Sequence, residues 1–314
     1  MTSSDRNRAE SVRHRLRNRL RERGDDVQLG LQRYARERFL YRLGESRHRE
    51  HFVLKGATLF ALWGGALYRA TRDLDFTGYG SPEPADVLAA LREVCGHSSP
   101  ADAIVFDPGT LSAEAIKDDG EYGGLRVRFE GHLGGSRIPM QIDIGFGNAI
   151  HPGAEEGVFP TLLDDPAPRI RVYPSEAVIA EKLHAMVMLG ERNSRFKDFY
   201  DVSVLAYRFT FDGSRLASAV AATFDRRHTA IDANLPDALG SRFYNEPMKA
   251  AQWRTYLGLN ALSGASPDFA LVGEQIQVFL RPIWTALADG RPFSDTWPPA
   301  GPWRAQVLDG EAVS

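Results

Sequence analysis

The chain has 314 residues, of which 43% are hydrophobic and 25% charged, and these ordinary globular proportions exclude wholesale disorder. Its single cysteine, Cys95, excludes an intramolecular disulfide and a cysteine-cluster zinc site. No apolar run approaches the roughly 20 residues that span a bilayer, and the arginine-rich N-terminus lacks the apolar segment of a secretory signal, so we expect a cytoplasmic protein without a membrane partner.

The net charge of −3 is unevenly distributed along the chain. Residues 1–50 contain 14 arginines, no lysine and 8 acids, so they carry +6 and the remainder carries −9. The whole chain has 33 arginines and only 5 lysines, so each lysine is a candidate for a specific role. The N-terminal charge fits either a face that binds a polyanion or a solvated surface that reflects composition alone.

The N-terminal 50 residues have the apolar spacing of two helices. Residues 6–23 place apolar residues on one narrow line, and residues 27–43 carry a broader apolar face that Gly44 ends.

Short β-rich runs separated by Gly/Pro turns follow, with helical patterns between some of them. The predicted strands are 52–54, 74–76, 104–106, 125–129, 138–144 and 169–173, and the predicted helices between them are 58–63 and 85–94. This alternation predicts a mixed sheet with helices.

From Pro174 onward the pattern is helical. The predicted helices are 175–189, with Ser175 as N-cap and Gly190 as its end, then 194–207, 214–226, 246–262 and 267–289. The chain is therefore predicted to have an α+β fold in four parts: a helical segment 1–50, an α/β core 51–173, a helical domain 174–290 and an irregular tail 291–314.

An Asp-x-Asp motif lies on the predicted strand that follows Thr71-Arg72. Alternate residues of a strand share a face, so Asp73 and Asp75 point the same way, about 7 Å apart at Cα, while Leu74 and Phe76 face the core. Two such carboxylates can bind Mg²⁺ together with substrate phosphates. The alternative is a solvated strand face or a turn.

A third carboxylate, Asp143, lies between two isoleucines of the strand 138–144. An aspartate is disfavoured inside a strong strand. If this strand neighbours that of Asp73, the three carboxylates form a metal site. The alternatives are an exposed aspartate or one paired with an arginine.

The turn Lys55-Gly56 ends one strand and opens a helix. Backbone amides at a helix start favour phosphate, and glycine permits a close approach. A hydroxyl from Thr58 or Thr71 could assist. The alternative is a purely structural turn.

Three further charged residues lie in the helical half. Lys182 falls within or beside the apolar stripe of helix 175–189, so it must extend to solvent, pair, or bind a ligand such as phosphate. Asp198 and Asp201 are three apart and share a helix face. Their alternative interpretation is a surface ion-pair helix.

Taken together, these motifs resemble the AbiEii/AbiGii nucleotidyltransferase-like toxins. The matching stretches are Arg33–Leu43, Phe52–Ala57, Arg69–Phe76, Pro174–Leu183 and Ser194–Asp201. The resemblance implies a nucleotidyltransferase fold with a metal-binding Asp-x-Asp in a small mixed sheet, followed by a helical domain. It also implies a toxin with a cognate antitoxin, and an activity that in some relatives modifies the 3′ end of tRNA.

Carried over by position, the resemblance assigns roles to individual residues. It implies that Asp73 and Asp75 bind metal and that Asp143 is the third carboxylate, serving as ligand or general base. It implies that Lys182 binds the triphosphate. Lys55, Gly56, Thr71 and Asp201 are then candidate nucleotide contacts, and Asp198 or Asp201 orients Lys182. One departure is that Ala57 replaces the serine of the wider superfamily.

The expected reaction is transfer of a nucleoside monophosphate from a nucleoside triphosphate to an RNA acceptor, first of all a tRNA 3′ end, with Mg²⁺ or Mn²⁺ as cofactor. Two alternatives stay open: a catalytically weak member that binds RNA or its antitoxin, and a metal-dependent nuclease that uses the same carboxylates.

Overall fold

The computed structural model describes residues 3–64, 71, 73–99, 102–116, 123–147, 150–260, 262 and 265–305. Arg69, Arg72 and residues 306–314 of the predicted tail lie outside the described residues. The chain divides into two units, one formed by Met1–Asn148 and Ala154–Tyr173, the other by Ala149–Gly153 and Pro174–Ser314. Among the described residues, no helix is long and apolar enough to cross a membrane.

The first unit combines helices with a mixed sheet. Its helices are α1 (Ser3–Arg23), α2 (Val27–Glu45), α3 (Leu59–Gly64) and α4 (Pro84–Gly96). Its strands are β1 (Phe52–Lys55), β2 (Leu74–Gly78), β3 (Ile104–Ile116), β4 (Gly124–Leu133), β5 (Ser136–Phe146), β6 (Glu155–Val158) and β7 (Arg169–Val172). In the described part of the unit the strand order is β3-β4-β5-β2-β1-β7-β6.

Strand directions explain why the sheet is mixed. β2 runs parallel to β5 and β1 runs parallel to β7, whereas the other neighbouring pairs are antiparallel. The period-two pattern decides which face is buried: Ile142 and Ile144 of β5 are fully buried, and Asp143 between them is not. Phe39 of α2 packs against Phe106 and Phe129 with ring centroids 5.7 and 5.3 Å apart, so α2 covers the apolar face.

The N-terminal helices belong to this unit. The apolar line of α1 is buried, as its spacing predicts, and Asp26 caps α2 by accepting a hydrogen bond from the Leu29 amide at 2.8 Å. The predicted end of α2 at Gly44 is wrong, because the helix continues to Glu45. A Cβ on Gly44 would clash with the carbonyl of Arg169, so this glycine lets α2 approach β7 closely.

The second unit is helical. Its helices are α5 (Ser175–Leu189), α6 (Phe196–Arg208), α7 (Gly213–Arg226), α8 (Ser241–Asn245), α9 (Pro247–Leu259) and α10 (Phe269–Ala288), and two short strands, β8 (Phe211–Asp212) and β9 (Thr296–Trp297), pair with each other. Aromatic rings fill its core; Trp253 stacks on Phe269 at 5.2 Å.

Two local predictions for this unit need correction. Pro174, not Ser175, occupies the N-cap position of α5, whereas Gly190 ends the helix as predicted, with φ 50°. The tail predicted to be irregular contains β9, and the buried Trp297 donates from Nε1 to the Ala206 carbonyl at 2.7 Å. The predicted class, α+β with N-terminal helices, a mixed sheet and a helical C-terminal half, is confirmed.

Candidate functional site

Four charged residues occupy one row across the sheet of the first unit. Asp75 on β2 is the register partner of Asp143 on β5 and of Lys55 on β1. Asp143 in turn pairs with Arg126 on β4. Directly paired residues on neighbouring strands project from the same face. The structure therefore places Asp143 beside Asp75, between a lysine at one end of the row and an arginine at the other.

Arg126 holds the carboxylate of Asp143 in a bidentate ion pair. The guanidinium donates from Nε to Oδ1 at 2.8 Å and from Nη2 to Oδ2 at 2.7 Å. Gln141 also donates to Oδ1, at 3.3 Å. The hydrogen bond to Asp143 raises the pKa of Arg126, and the charges of Asp143 and Asp73 add to this effect. The sequence left open whether Asp143 is a metal ligand, an exposed side chain or the partner of an arginine. In this structure it is paired with an arginine.

Sequence reasoning missed Arg126, although a signal for it exists. A two-residue turn, Gly134-Gly135, joins β4 and β5, and Leu133 pairs with Ser136 across it. Two-residue glycine turns fix the hairpin register. Counting back from this turn pairs position 126 with position 143.

Asp73 lies immediately before β2, where α2 supports the backbone. Arg36, which is 6% exposed, donates from Nη1 to the Thr71 carbonyl at 2.6 Å. Burial lowers the pKa of Arg36 to about 10, and the charge of Asp73 opposes the shift. The hydroxyls of Thr71 and Thr58 donate to the Asp73 carbonyl at 3.3 and 3.4 Å. Both threonines thus hold the backbone of the aspartate motif.

Gly56 allows the chain to pass close to Asp75. Its φ is 75°, a region that favours glycine, and a Cβ at this position would clash with the Asp75 carboxylate. Lys55 ends β1 just before it and is half-buried. A residue with a side chain at position 56 would therefore displace the Asp75 carboxylate.

The residues present fit a divalent cation. Asp73 and Asp75 supply carboxylate oxygens at partly exposed positions. Among the described residues, no three His, Cys, Asp or Glu side chains are grouped so as to hold an ion by themselves. Mg²⁺ is commonly held by one or two carboxylates together with substrate phosphates. The donor set matches that arrangement.

In the second unit, Lys182 is paired with both predicted aspartates. Its ammonium donates to Asp198 Oδ1 at 2.9 Å and to Asp201 Oδ2 at 2.7 Å. The side chains of Lys182, Asp198 and Asp201 are 13%, 2% and 1% exposed. The interpretation of the aspartate helix as a surface ion-pair helix is therefore wrong, and Lys182 pairs inside the unit instead of extending into solvent.

A second cation stabilises this cluster. Arg195 donates from Nε to Asp198 Oδ2 at 2.8 Å. Burial raises the pKa of Asp198, but the charges of Lys182 and Arg195 outweigh it and hold the pKa below its usual value. Asp198 is therefore ionised and bound on both oxygens.

Lys249 supports the turn that precedes α6. Its ammonium donates to the Asn193 carbonyl at 2.8 Å and lies 5.0 Å from the ring centroid of Phe243. The Asn193 side chain in turn accepts from the Arg195 amide at 2.8 Å. Sequence reasoning missed this contact, because Lys249 lies on a helix distant in the chain.

Comparison with known proteins yields a family and two solved structures. The family model "Nucleotidyl transferase AbiEii toxin, Type IV TA system" matches residues 38–274. The chain is similar to a candidate nucleotidyltransferase from H. pylori, with 17% identity and a TM-score of 0.49 over 85% of this chain and 98% of that one. It is also similar to JHP933 from Helicobacter pylori, with 16% identity and a TM-score of 0.49 over 85% and 95%. No curated protein matches significantly.

Proposed function

The chain belongs to the AbiEii family of nucleotidyltransferase toxins from type IV toxin–antitoxin systems, and we propose that it transfers a nucleoside monophosphate from a nucleoside triphosphate to an RNA acceptor. The observation that carries the proposal is the pairing of Asp75 with Asp143 on neighbouring strands, with Asp73 two residues before Asp75, inside the matched family region. The resemblance makes a tRNA 3′ end the first acceptor to test. Family membership also implies an antitoxin as partner.

Asp73 and Asp75 are the proposed ligands for Mg²⁺ or Mn²⁺. The bound ion would neutralise the triphosphate and polarise the α-phosphate. Gly56 lets the chain pass beside the Asp75 carboxylate without a clash, and Arg36 together with Thr71 fixes the backbone from which Asp73 projects. These contacts preorganise both carboxylates, so less ordering is needed when the nucleotide binds.

Asp143 is the proposed general base or additional ligand. The acceptor hydroxyl oxygen forms a bond to the α-phosphorus, and the bond from that phosphorus to the α,β-bridging oxygen breaks. Pyrophosphate leaves with the electron pair, and the hydroxyl proton passes to the Asp143 carboxylate. Because Arg126 binds both oxygens of Asp143, the incoming proton must use a remaining lone pair of the carboxylate or displace the guanidinium.

Lys182 is the proposed phosphate-binding cation of the second unit. Asp198 and Asp201 hold its ammonium through two short hydrogen bonds, so they orient it. A lysine ammonium is a compact charge that suits phosphate. Lys55 is proposed as a further nucleotide contact, because it lies in the row beside Asp75.

A direct assay for label transfer tests the proposal. Purified protein is incubated with Mg²⁺, total tRNA and each α-labelled nucleoside triphosphate in turn, with EDTA as the control. We expect label on the RNA from one or two nucleotides and release of pyrophosphate. If no nucleotide labels RNA, the transferase proposal is wrong. RNA degradation that needs metal but no triphosphate would instead identify a nuclease.

A further inference from the structure

Helix α1 carries two rows of arginines. Eight of its 21 residues are arginine and three are acidic, so the helix has a net charge of +5. At 3.6 residues per turn, the arginines fall on both flanks of the buried apolar line. One row consists of Arg6, Arg13, Arg17 and Arg21, and the other consists of Arg8, Arg15, Arg19 and Arg23.

Four members of the arginine rows have no carboxylate partner in the part of the chain that the structure describes. Arg6, Arg15, Arg17 and Arg21 are exposed, and no carboxylate of the described residues lies within ion-pair distance of them. Two other members have loose, exposed partners. Arg19 lies 3.9 Å from Glu22, and Arg23 lies 3.5 Å from Asp25. Among the described residues, the positive charge of these four arginines is therefore uncompensated.

The spacing within each row is unfavourable for an isolated helix. Arg13 and Arg17, and again Arg17 and Arg21, are four residues apart, and so are the corresponding members of the other row. Like charges at this spacing destabilise a helix. A bound polyanion would offset the repulsion between these arginines, because each guanidinium would then be attracted to a phosphate.

The face between the two rows is uncharged along most of its length. It presents Asn7, Ser11, His14 and Asn18, all exposed. Outside residues 1–50 the chain carries −9, so the N-terminal segment is where a polyanion is attracted. Arginine also matches phosphate with two parallel hydrogen bonds.

We infer that the arginine rows of α1 are the docking surface for the sugar–phosphate backbone of the RNA acceptor. The inference rests on the proposed function for the identity of the polyanion as RNA. Contacts to phosphate fix position without reading sequence. The surface should therefore bind RNA tightly at low salt, weakly at high salt, and with little sequence preference.

A binding assay without catalysis tests the inference. The probe is a fluorescein-labelled tRNA transcript in EDTA without nucleotide, titrated at KCl concentrations from about 50 to about 200 mM. The test variant is R15Q/R17Q/R19Q/R21Q, which removes two members of each row. The matched control is R226Q/R242Q/R254Q/R281Q, which removes four exposed arginines of the second unit.

At the lowest salt, the RNA affinity of the row variant should be at least about tenfold weaker than that of the unmodified protein. The slope of log affinity against log salt should become shallower by about 3, because each of the four lost phosphate contacts contributes about 0.7–0.9 to that slope. The control variant should bind like the unmodified protein. The melting temperature of the row variant should stay level or rise, because like-charged pairs are removed.

Each other result has a defined meaning. The inference is overturned if the row variant binds RNA as tightly as the unmodified protein, or if the control variant loses as much RNA affinity as the row variant. In either case, RNA labelling in the transfer assay would leave the proposed function intact. Loss of antitoxin neutralisation with intact RNA binding would assign the rows to the antitoxin and also overturn it. If binding depends on the rows but no nucleotide is transferred, the docking surface stands and the transferase proposal fails.

Discussion

Arg126 and Asp143 face each other across the β4–β5 hairpin, and the guanidinium binds both oxygens of the carboxylate. The pair lies one strand away from Asp75, so the guanidinium of Arg126 already neutralises one of the two carboxylates of the row. If Asp143 binds metal as proposed, Arg126 and the divalent ion would compete for its carboxylate.

Replacing Arg126 with glutamine should increase metal binding. Without the guanidinium, Asp143 and Asp75 become adjacent carboxylates, and their repulsion favours a cation between them. We expect several-fold tighter Mn²⁺ binding by calorimetry, and a melting temperature that falls without metal and recovers with it. Arg128→Gln is the control, because Arg128 lies on the same strand and pairs with the exposed Glu114. Equal metal affinity in both variants would contradict competition at Asp143.

Replacing Asp73 or Asp75 with asparagine should abolish transfer while preserving the fold. Each change would remove a proposed carboxylate ligand, and electrophilic stabilisation by a bound ion contributes several kcal/mol. Mg²⁺ should raise the melting temperature of the unmodified protein but not that of either variant. Asp86→Asn, an exposed position on α4, should behave as the unmodified protein does. A folded Asp73→Asn or Asp75→Asn variant with full activity would refute the metal site.

Lys182→Ala should be strongly destabilising as well as inactivating. It leaves Asp198 and Asp201 buried with one counter-charge fewer, and breaking a buried ion pair costs about 3–5 kcal/mol. Urea denaturation measures this loss. Lys182→Met combined with Asp198→Asn and Asp201→Asn should recover much of the stability, because no buried carboxylate is left without a counter-charge and Arg195, which loses its partner, is 39% exposed. Recovery of transfer in that triple variant would show that Lys182 is structural only.

Stability should depend on pH through Glu37, which is fully buried on α2. Burial raises its pKa from 4.5 to about 7, although the charge of Arg38 and the Leu162 amide oppose the shift. A raised carboxyl pKa means that the folded state binds the proton more tightly. This stabilisation is complete below the unfolded pKa and is lost as pH rises through about 7.

Glu37→Gln should accordingly flatten the pH dependence. Between about pH 4.5 and pH 7 the free energy of unfolding of the unmodified protein should fall by up to about 3 kcal/mol from this group. The glutamine variant should lose that slope, although it also leaves the buried Arg38 without its carboxylate partner. Guanidinium denaturation at several pH values checks this, and parallel slopes for both proteins would refute it.

Local patterns in the sequence predict much of the fold and part of the candidate site. The period of two places Leu74 and Phe76 inside and Asp75 outside, as observed. The sequence alone does not show that Asp75 and Asp143 are neighbours. Their strands, β2 and β5, are adjacent in the sheet but not consecutive along the chain. The pairing of Arg126 with Asp143, in contrast, follows from the register of the β4–β5 hairpin, which the Gly134-Gly135 turn fixes.

The burial of Asp198 and Asp201 could not be predicted from their own helix. A pair of aspartates three apart indicates a surface when the helix is considered alone. Their counter-charge, Lys182, comes from α5, so only the packing of two helices reveals why the carboxylates are inside. Local patterns therefore wrongly predict exposure for charged residues whose counter-charge lies on a different helix or strand.

The charges of the sheet row have a consequence for the order of substrate binding. Lys55, Asp75, Asp143 and Arg126 sum to no net formal charge, and Asp73 adds a negative charge next to them. A free triphosphate therefore gains little electrostatic attraction from this part of the sheet. If the row binds nucleotide as proposed, it should favour a triphosphate that already carries its divalent ion. Transfer should then follow the concentration of the metal–nucleotide complex, and excess free nucleotide should compete only weakly.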